Sequence, residues 1–187
     1  MSLLHRVEQI RAPYRDFCEK QIRDIAEEIE NSDVHRGVIA LLAATGWHGL
    51  TIPKQYGGLG ANHLARSVSI EETSRLSAAA GASLQSAQLG VAMFVGYGSE
   101  EQKSRYLPDL ASGKRIASIC ITEPESGSHI LGMRCTARRE GDSYVLNGRK
   151  WFIANSHVAD VHGVVARTSE GTGAGAPSWD VRAKGSR

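Results

Sequence analysis

The sequence is short of the residues that staple or metallate a chain. Its three cysteines, Cys18, Cys120 and Cys135, are an odd number at distant spacings with no CxxC. Neither a disulfide framework nor a zinc site is expected, and a reducing compartment fits. An excess of one charge is also lacking: the net charge is +2 and no long Lys/Arg run occurs, which argues against the basic surface that nucleic-acid binding needs. No strand leads into a GxGxxG, and no Walker Lys-Ser/Thr is present, so a dinucleotide fold and a P-loop both lack support. The N-terminus carries charge from His5-Arg6 onward without the apolar core of a signal peptide, and a cytoplasmic location is expected. One stretch, Leu76 to Ser99, has no charged side chain, yet it is rich in Ala, Gly, Ser and Gln. A membrane span needs ~20 predominantly apolar residues. A close-packed buried helix is the expectation here, and no span.

What is present reads first as helices. Leu3, Val7, Ile10, Tyr14 and Phe17 recur at spacings of three and four, and Ile22, Ile25 and Ile29 continue one step out of phase. Pro13 interrupts the pattern, so the helix either begins or kinks there. Asn31-Ser32-Asp33 offers stop and cap residues before a helix from Val34 to Ala44, which Gly46 ends. The loop from Trp47 through Tyr56-Gly57-Gly58-Leu59-Gly60 is followed by helices from Asn62 to Leu76 and from Ala78 to Val95. Ser99 with Gln102 fits a capping box for a helix that reaches Ala111 and stops at Gly113.

After Gly113 the pattern changes to strands: Arg115 to Thr122, Arg134 to Arg139, Ser143 to Leu146, Arg149 to Ile153, and Val161 to Thr168. Asn147-Gly148, lying between two of these, is the strongest short hairpin signal and predicts a type I′ turn. A helical block followed by an antiparallel sheet makes the class α+β. The expected organisation is a helical domain over 1–113, a partial β-domain over 114–168, and a disordered Gly/Ala-rich tail over 169–187.

Two segments carry the functional signal. In Thr122-Glu-Pro-Glu-Ser-Gly-Ser-His129 a strand ends in a hydroxyl, Pro turns the chain, and Gly127-Ser128 turns backbone N–H groups outward. Such a loop can hold an anion or the polar edge of a planar ring, although Gly, Ser and Pro also make plain surface turns. In Lys150-Trp-Phe-Ile-Ala-Asn155 two adjacent aromatics on a strand would point to opposite faces, one into the core and one free to meet a planar ring. Taken alone, core packing explains them as well.

Together, Cys120 to Ser128 and Gly141 to Asn155 resemble the acyl-CoA dehydrogenase family. Three further matches lie upstream in order: Gly49 to Gly58, the Glu71-Glu72 helix, and Gly98 to Pro108. Ala159-Asp160 and Val164 to Thr168 fit as well, so the resemblance covers residues 5–168.

The resemblance implies a helical domain, a β-domain and a C-terminal helical domain, with FAD between the last two. It implies α,β-dehydrogenation of an acyl thioester, CoA- or carrier-protein-bound, with an electron-transfer flavoprotein or another acceptor downstream. Carried over by motif, Ile121 and Thr122 line the flavin and Phe152 packs on its ring, with Ile153 and Ala154 at its border. Gly127 and Ser128 meet the pantetheine or phosphate arm, and Leu89 is a candidate wall of the acyl pocket. Two departures stand out: Ala154 where the family usually has Thr or Ser, and His129 where Asp is usual. No catalytic base is assigned in this sequence. A homo-oligomer, or pairing with a C-terminal helical half, is therefore expected. The alternatives are a non-catalytic flavin or acyl-thioester binding module, and an inactive truncated product.

Overall fold

The computed structural model describes residues 3–31, 36–168 and 177–183. Helix α1 (Leu3–Gln21) runs straight across Pro13 rather than starting there. An interior Pro forfeits one helical hydrogen bond and strains the preceding turn. Contacts on either side of it offset that loss. Tyr14 and Phe17 both meet the Trp47 ring edge-on, at 4.9 and 4.8 Å between centroids. Arg11 and Arg15 reach across to a later helix, α4 (His63–Leu76), and bind the Glu72 carboxylate at 2.7 and 3.2 Å.

A single 3-10 turn (Arg23–Ile25) leads to the short α2 (Ala26–Glu30). Asn31 closes it, its side-chain amide donating to the Glu27 carbonyl at 2.9 Å. The Ser32-Asp33 cap lies outside the described residues. Helix α3 (Arg36–Ala44) ends as expected before Gly46, whose φ of +75° suits glycine. The next three helices start where local chemistry says they should. Asn62 caps α4 (His63–Leu76) by accepting from the Ala65 N–H, and Ser77 caps α5 (Ala78–Tyr97) by accepting from Ala80. Ser99 and Gln102 form the full capping box of α6 (Glu100–Ala111).

The sheet has five strands: β1 (Ala117–Cys120), β2 (Thr136–Glu140), β3 (Ser143–Asn147), β4 (Val161–Arg167) and β5 (Pro177–Ala183). The α+β class holds, but the sheet is mixed rather than antiparallel throughout. β1 runs parallel to β4, with Ala117 opposite Val161, while β2–β3 and β4–β5 are antiparallel. Parallel neighbours need a long crossover. Residues 121–160 provide it, and they contain both segments singled out by the sequence.

Three strand-level expectations are corrected. The hairpin turns at Gly141-Asp142, since Glu140 pairs with Ser143. Asn147 is the last residue of β3, opposite Thr136. Residues 149–153 form no strand; Phe152 and Asn155 have φ of +54° and +60°, which an extended chain does not accommodate. The expected disordered tail is also overturned in part, because 177–183 pairs along the full length of β4. Residues 169–176 and 184–187 lie outside the described residues.

Helix α5 joins the two halves. Gly90 lies so close to β1 that a Cβ there would sit 2.7 Å from that of Ala117, and Met93 rests on Gly163 of β4. Ile52, Phe94, Leu107, Leu110 and Val161 fill the core around it. Among the described residues α5 alone is long and apolar enough to cross a membrane, and half of it is buried by these contacts.

Two buried groups set pH limits on the fold. Glu72 is 1% exposed. Burial pushes its carboxyl up, but the guanidinium groups of Arg15, Arg11 and Arg75 outweigh that and hold it at about 2. His48 is buried too, and neither ring nitrogen finds a partner among the described residues. Burial lowers its pKa from 6.5 to about 4. Between those values the unfolded chain binds a proton that the folded chain refuses, so stability rises with pH across that window. His48 alone is expected to remove on the order of 3 kcal/mol between pH 7 and pH 4. Urea unfolding of His48→Leu should show a flatter profile from pH 6.5 to 4.5 than the parent; parallel profiles would refute the assignment.

Gly148 matters for a reason other than a hairpin turn. Its φ is +149°, and a Cβ there would lie 2.7 Å from the Cys135 Cα. Gly148→Val is expected to lower stability by about 1–3 kcal/mol through backbone strain and the clash with β2. A thermal melt indistinguishable from the parent would count against this close approach.

Candidate functional site

The crossover residues gather at the C-terminal end of β1. Ile121 and Thr122 follow the strand half-buried, and Glu123 is buried. The chain then turns tightly: Glu123 and Ser126 exchange backbone hydrogen bonds at 2.9 and 3.2 Å, and the Ser126 hydroxyl donates to the His129 carbonyl at 2.7 Å. Gly127 and Ser128 stand exposed at the rim, and nothing lies within 4 Å of where a Gly127 Cβ would be.

The second segment is tied to the first by three bonds. The Trp151 N–H donates to the Thr122 carbonyl at 2.9 Å. The Lys150 ammonium donates to the Ile121 carbonyl and to the Glu123 carboxylate, each at 2.8 Å. Glu123 also accepts from the N–H groups of Arg134 at 2.5 Å and Cys135 at 3.0 Å. Burial alone would raise its pKa, but the two N–H groups and Lys150 prevail and hold the carboxyl below its ordinary range. Glu123 is therefore an anchored anion, buried away from any substrate.

Downstream, Asn155 takes a left-handed conformation, which Asn tolerates better than most residues. Its amide donates to the Ser83 carbonyl of α5 at 2.9 Å, so the segment is fixed to the helical half as well. Between these anchors Phe152 is 83% exposed. At φ +54° a bulky side chain costs on the order of 1–2 kcal/mol. Ile153 is half-buried and Ala154 exposed beside it; Leu89 lies half-buried on α5.

The structure thus brings Ile121 and Thr122 against the 150–152 segment, with Gly127 and Ser128 at the rim. Sequence reasoning gave no role to Lys150 or Asn155, and it expected one of the two adjacent aromatics in the core, whereas Trp151 and Phe152 are both exposed and stacked on one side. A lysine two residues before an aromatic does not by itself announce a buried carboxylate partner, and the only cue at Asn155 was the residue type.

Chemically, the site offers an exposed flat ring, apolar flanks from Ile121 and Ile153, and the Thr122 hydroxyl, which has no hydrogen bond among the described residues. An apolar face beside a hydroxyl is what a planar heterocycle with one polar edge requires. Lys150→Met is expected to lower stability at pH 7 by about 2–4 kcal/mol, since it strands the buried Glu123 charge. Because the folded carboxyl is depressed, the loss should shrink as acid protonates Glu123. Adding Glu123→Gln should recover part of it. An additive double-mutant cycle would show that the pair does not hold the loops together.

Residues 5–114 match the acyl-CoA dehydrogenase N-terminal domain, and residues 118–183 match the middle domain. The chain is 38% identical over 177 residues to a 3-(aryl)acrylate reductase of Clostridium sporogenes, covering 92% of this chain and 47% of that protein. It is 37% identical over 164 residues to the mitochondrial isovaleryl-CoA dehydrogenase of Bos taurus, covering 86% and 38%. Among solved structures, an acyl-CoA dehydrogenase complexed with FAD from Bacillus anthracis superposes with a TM-score of 0.83 at 32% identity, covering 97% of this chain and 31% of that one. The chain spans less than half the length of these relatives. With both domain matches in chain order and the same fold, this chain belongs to the acyl-CoA dehydrogenase family.

Proposed function

We propose that this chain binds FAD through the exposed Phe152 ring. In that reading it serves the α,β-dehydrogenation of an acyl thioester, CoA- or carrier-protein-bound, together with a carboxylate from outside the described residues. The observation that carries this reading is the strained, solvent-facing Phe152 ring on a segment hydrogen-bonded to Thr122, whose hydroxyl has no partner among the described residues. A position kept at that backbone cost points to a functional constraint.

The residues fit the cofactor. Phe152 gives the isoalloxazine an apolar face, Ile121 and Ile153 flank it, and the Thr122 hydroxyl can bond its polar edge. Ala154 contributes only backbone there. Bound FAD supplies a hydride acceptor for the thioester β-carbon. Gly127 and Ser128, exposed at the loop rim, are placed to receive the pantetheine or phosphate arm, and Leu89 to border the acyl chain.

The α-proton needs a positioned base in a dry site. Three carboxylates lie in the crossover loops near the platform. Glu123 is ion-paired, Asp160 accepts the Ile116 N–H at 3.0 Å, and Glu125 is exposed on the turn. Glu123 and Asp160 are committed to these bonds, and in this reading the base is assigned to another element: a C-terminal helical half or a second copy. Either would also cover the exposed side chains of Ile130 and Leu131. Electrons would leave through an electron-transfer flavoprotein or another acceptor.

The test is a flavin titration followed by a dye-linked assay with several acyl-CoA lengths. Flavin binding without turnover is expected for this chain alone, with activity gained when a separately expressed helical half is added. Turnover by the unsupplemented chain would place a base within it. Failure to bind flavin at saturating concentration would remove the proposal.

A further inference from the structure

We propose that Trp151 is a positioning residue that, with Arg149, backs Phe152 in a layered stack and sets how tightly the platform holds a planar ring. The inference rests on the flavin reading above.

Neighbouring residues of an extended chain point to opposite faces. Here the positive φ of Phe152 breaks the alternation and brings both rings to one side. They stack nearly parallel, 5.3 Å between centroids and 16° between planes. The Arg149 guanidinium stands over the Trp151 ring, 5.0 Å from its centroid. Trp151 therefore meets two flat groups, Arg149 and Phe152, and Phe152 is the more exposed of the two rings.

Trp151 is 44% exposed, so burial is not what fixes it. Its backbone is held instead, through its own N–H to Thr122 and through the Lys150 ammonium to Ile121 and Glu123. A ring as exposed as Phe152 would otherwise sample several rotamers in water, and freezing it upon binding would weaken affinity. The anchored indole removes that freedom beforehand. The Arg149 guanidinium over the ring restrains the indole in turn.

The stack contacts only the ring common to FAD and FMN. Loss of Trp151 should therefore weaken both by the same factor at an unchanged melting temperature, whereas a general loosening of the fold would lower the melting temperature as well. In fluorescence titrations of flavin emission, Trp151→Leu is expected to raise Kd about 3- to 10-fold for FAD and FMN alike. The quenching at saturation should fall with it. Trp151→Phe keeps a stacked ring and should stay within about 2-fold of the parent. Phe152→Leu should weaken binding at least as much as Trp151→Leu. If Trp151→Leu does not fold, Arg149→Gln, at an exposed position, should still raise Kd by about 2-fold. Unchanged binding in Trp151→Leu, with Phe152→Leu weakened, overturns this inference and leaves the flavin reading standing. So does unchanged binding in Arg149→Gln where that variant replaces it. A parent that binds no flavin overturns both.

Discussion

The site depends on one buried carboxylate. Glu123 sits where water cannot solvate it, and an unpaired charge there would cost several kcal/mol. Its partners come from separate parts of the chain: backbone N–H groups at the entrance to β2, and the Lys150 ammonium at the exit from β3. Satisfying that one anion therefore draws the loop after β1, the start of the hairpin and the aromatic segment to a single point. Once they are there, the Trp151 N–H meets the Thr122 carbonyl and the geometry of the platform is settled. An apolar residue at position 123 could be equally stable, but it would not specify which three segments meet.

A second constraint acts between the two halves. Helix α5 approaches the sheet through small residues, Gly90 over Ala117 and Gly163 under Met93. That closeness lets the Asn155 side chain reach the Ser83 carbonyl, a bond that a longer helix-to-sheet spacing would break. The aromatic segment is therefore pinned at both ends, by Glu123 near Lys150 and by α5 near Asn155. The small residues on the buried face of α5 follow from the same need: where the helix approaches the sheet this closely there is no room for hydrated side chains.

What the sequence made legible was mostly local. Helix starts were readable because a cap is a contact between residues three apart, as at Asn62, Ser77 and Ser99 with Gln102. The family motif pointed to Thr122 and Phe152, and the fold brings their segments together through the Trp151–Thr122 hydrogen bond. The errors were non-local. Asn147-Gly148 looked like a hairpin turn, yet Gly148 is needed because β2 passes against it at Cys135, a neighbour that no local signal names. The segment 177–183 read as part of a tail because it lies between a Gly/Ala run and a polar, basic ending, whereas its strand depends on pairing with β4. Lys150 and Trp151 were read as parts of a strand; their roles exist only once the crossover has folded back on β1.

The two left-handed residues in this segment differ in what supports them. Asn155 tolerates its backbone angle by chemical type and adds two side-chain contacts with Ser83. Phe152 has neither advantage: its ring gains almost nothing from burial, and its conformation is one that aromatic residues avoid. The free energy holding it must come from its surroundings: the Lys150–Glu123 pair on one side, the Asn155–Ser83 bond on the other, and the indole against its face. A fold that spends anchoring interactions to keep an apolar ring in water has not minimised its own free energy at that position. In the flavin reading proposed above, the outer face of Phe152 is one half of an interface whose other half is a planar ligand, and the strain is the consequence of presenting it.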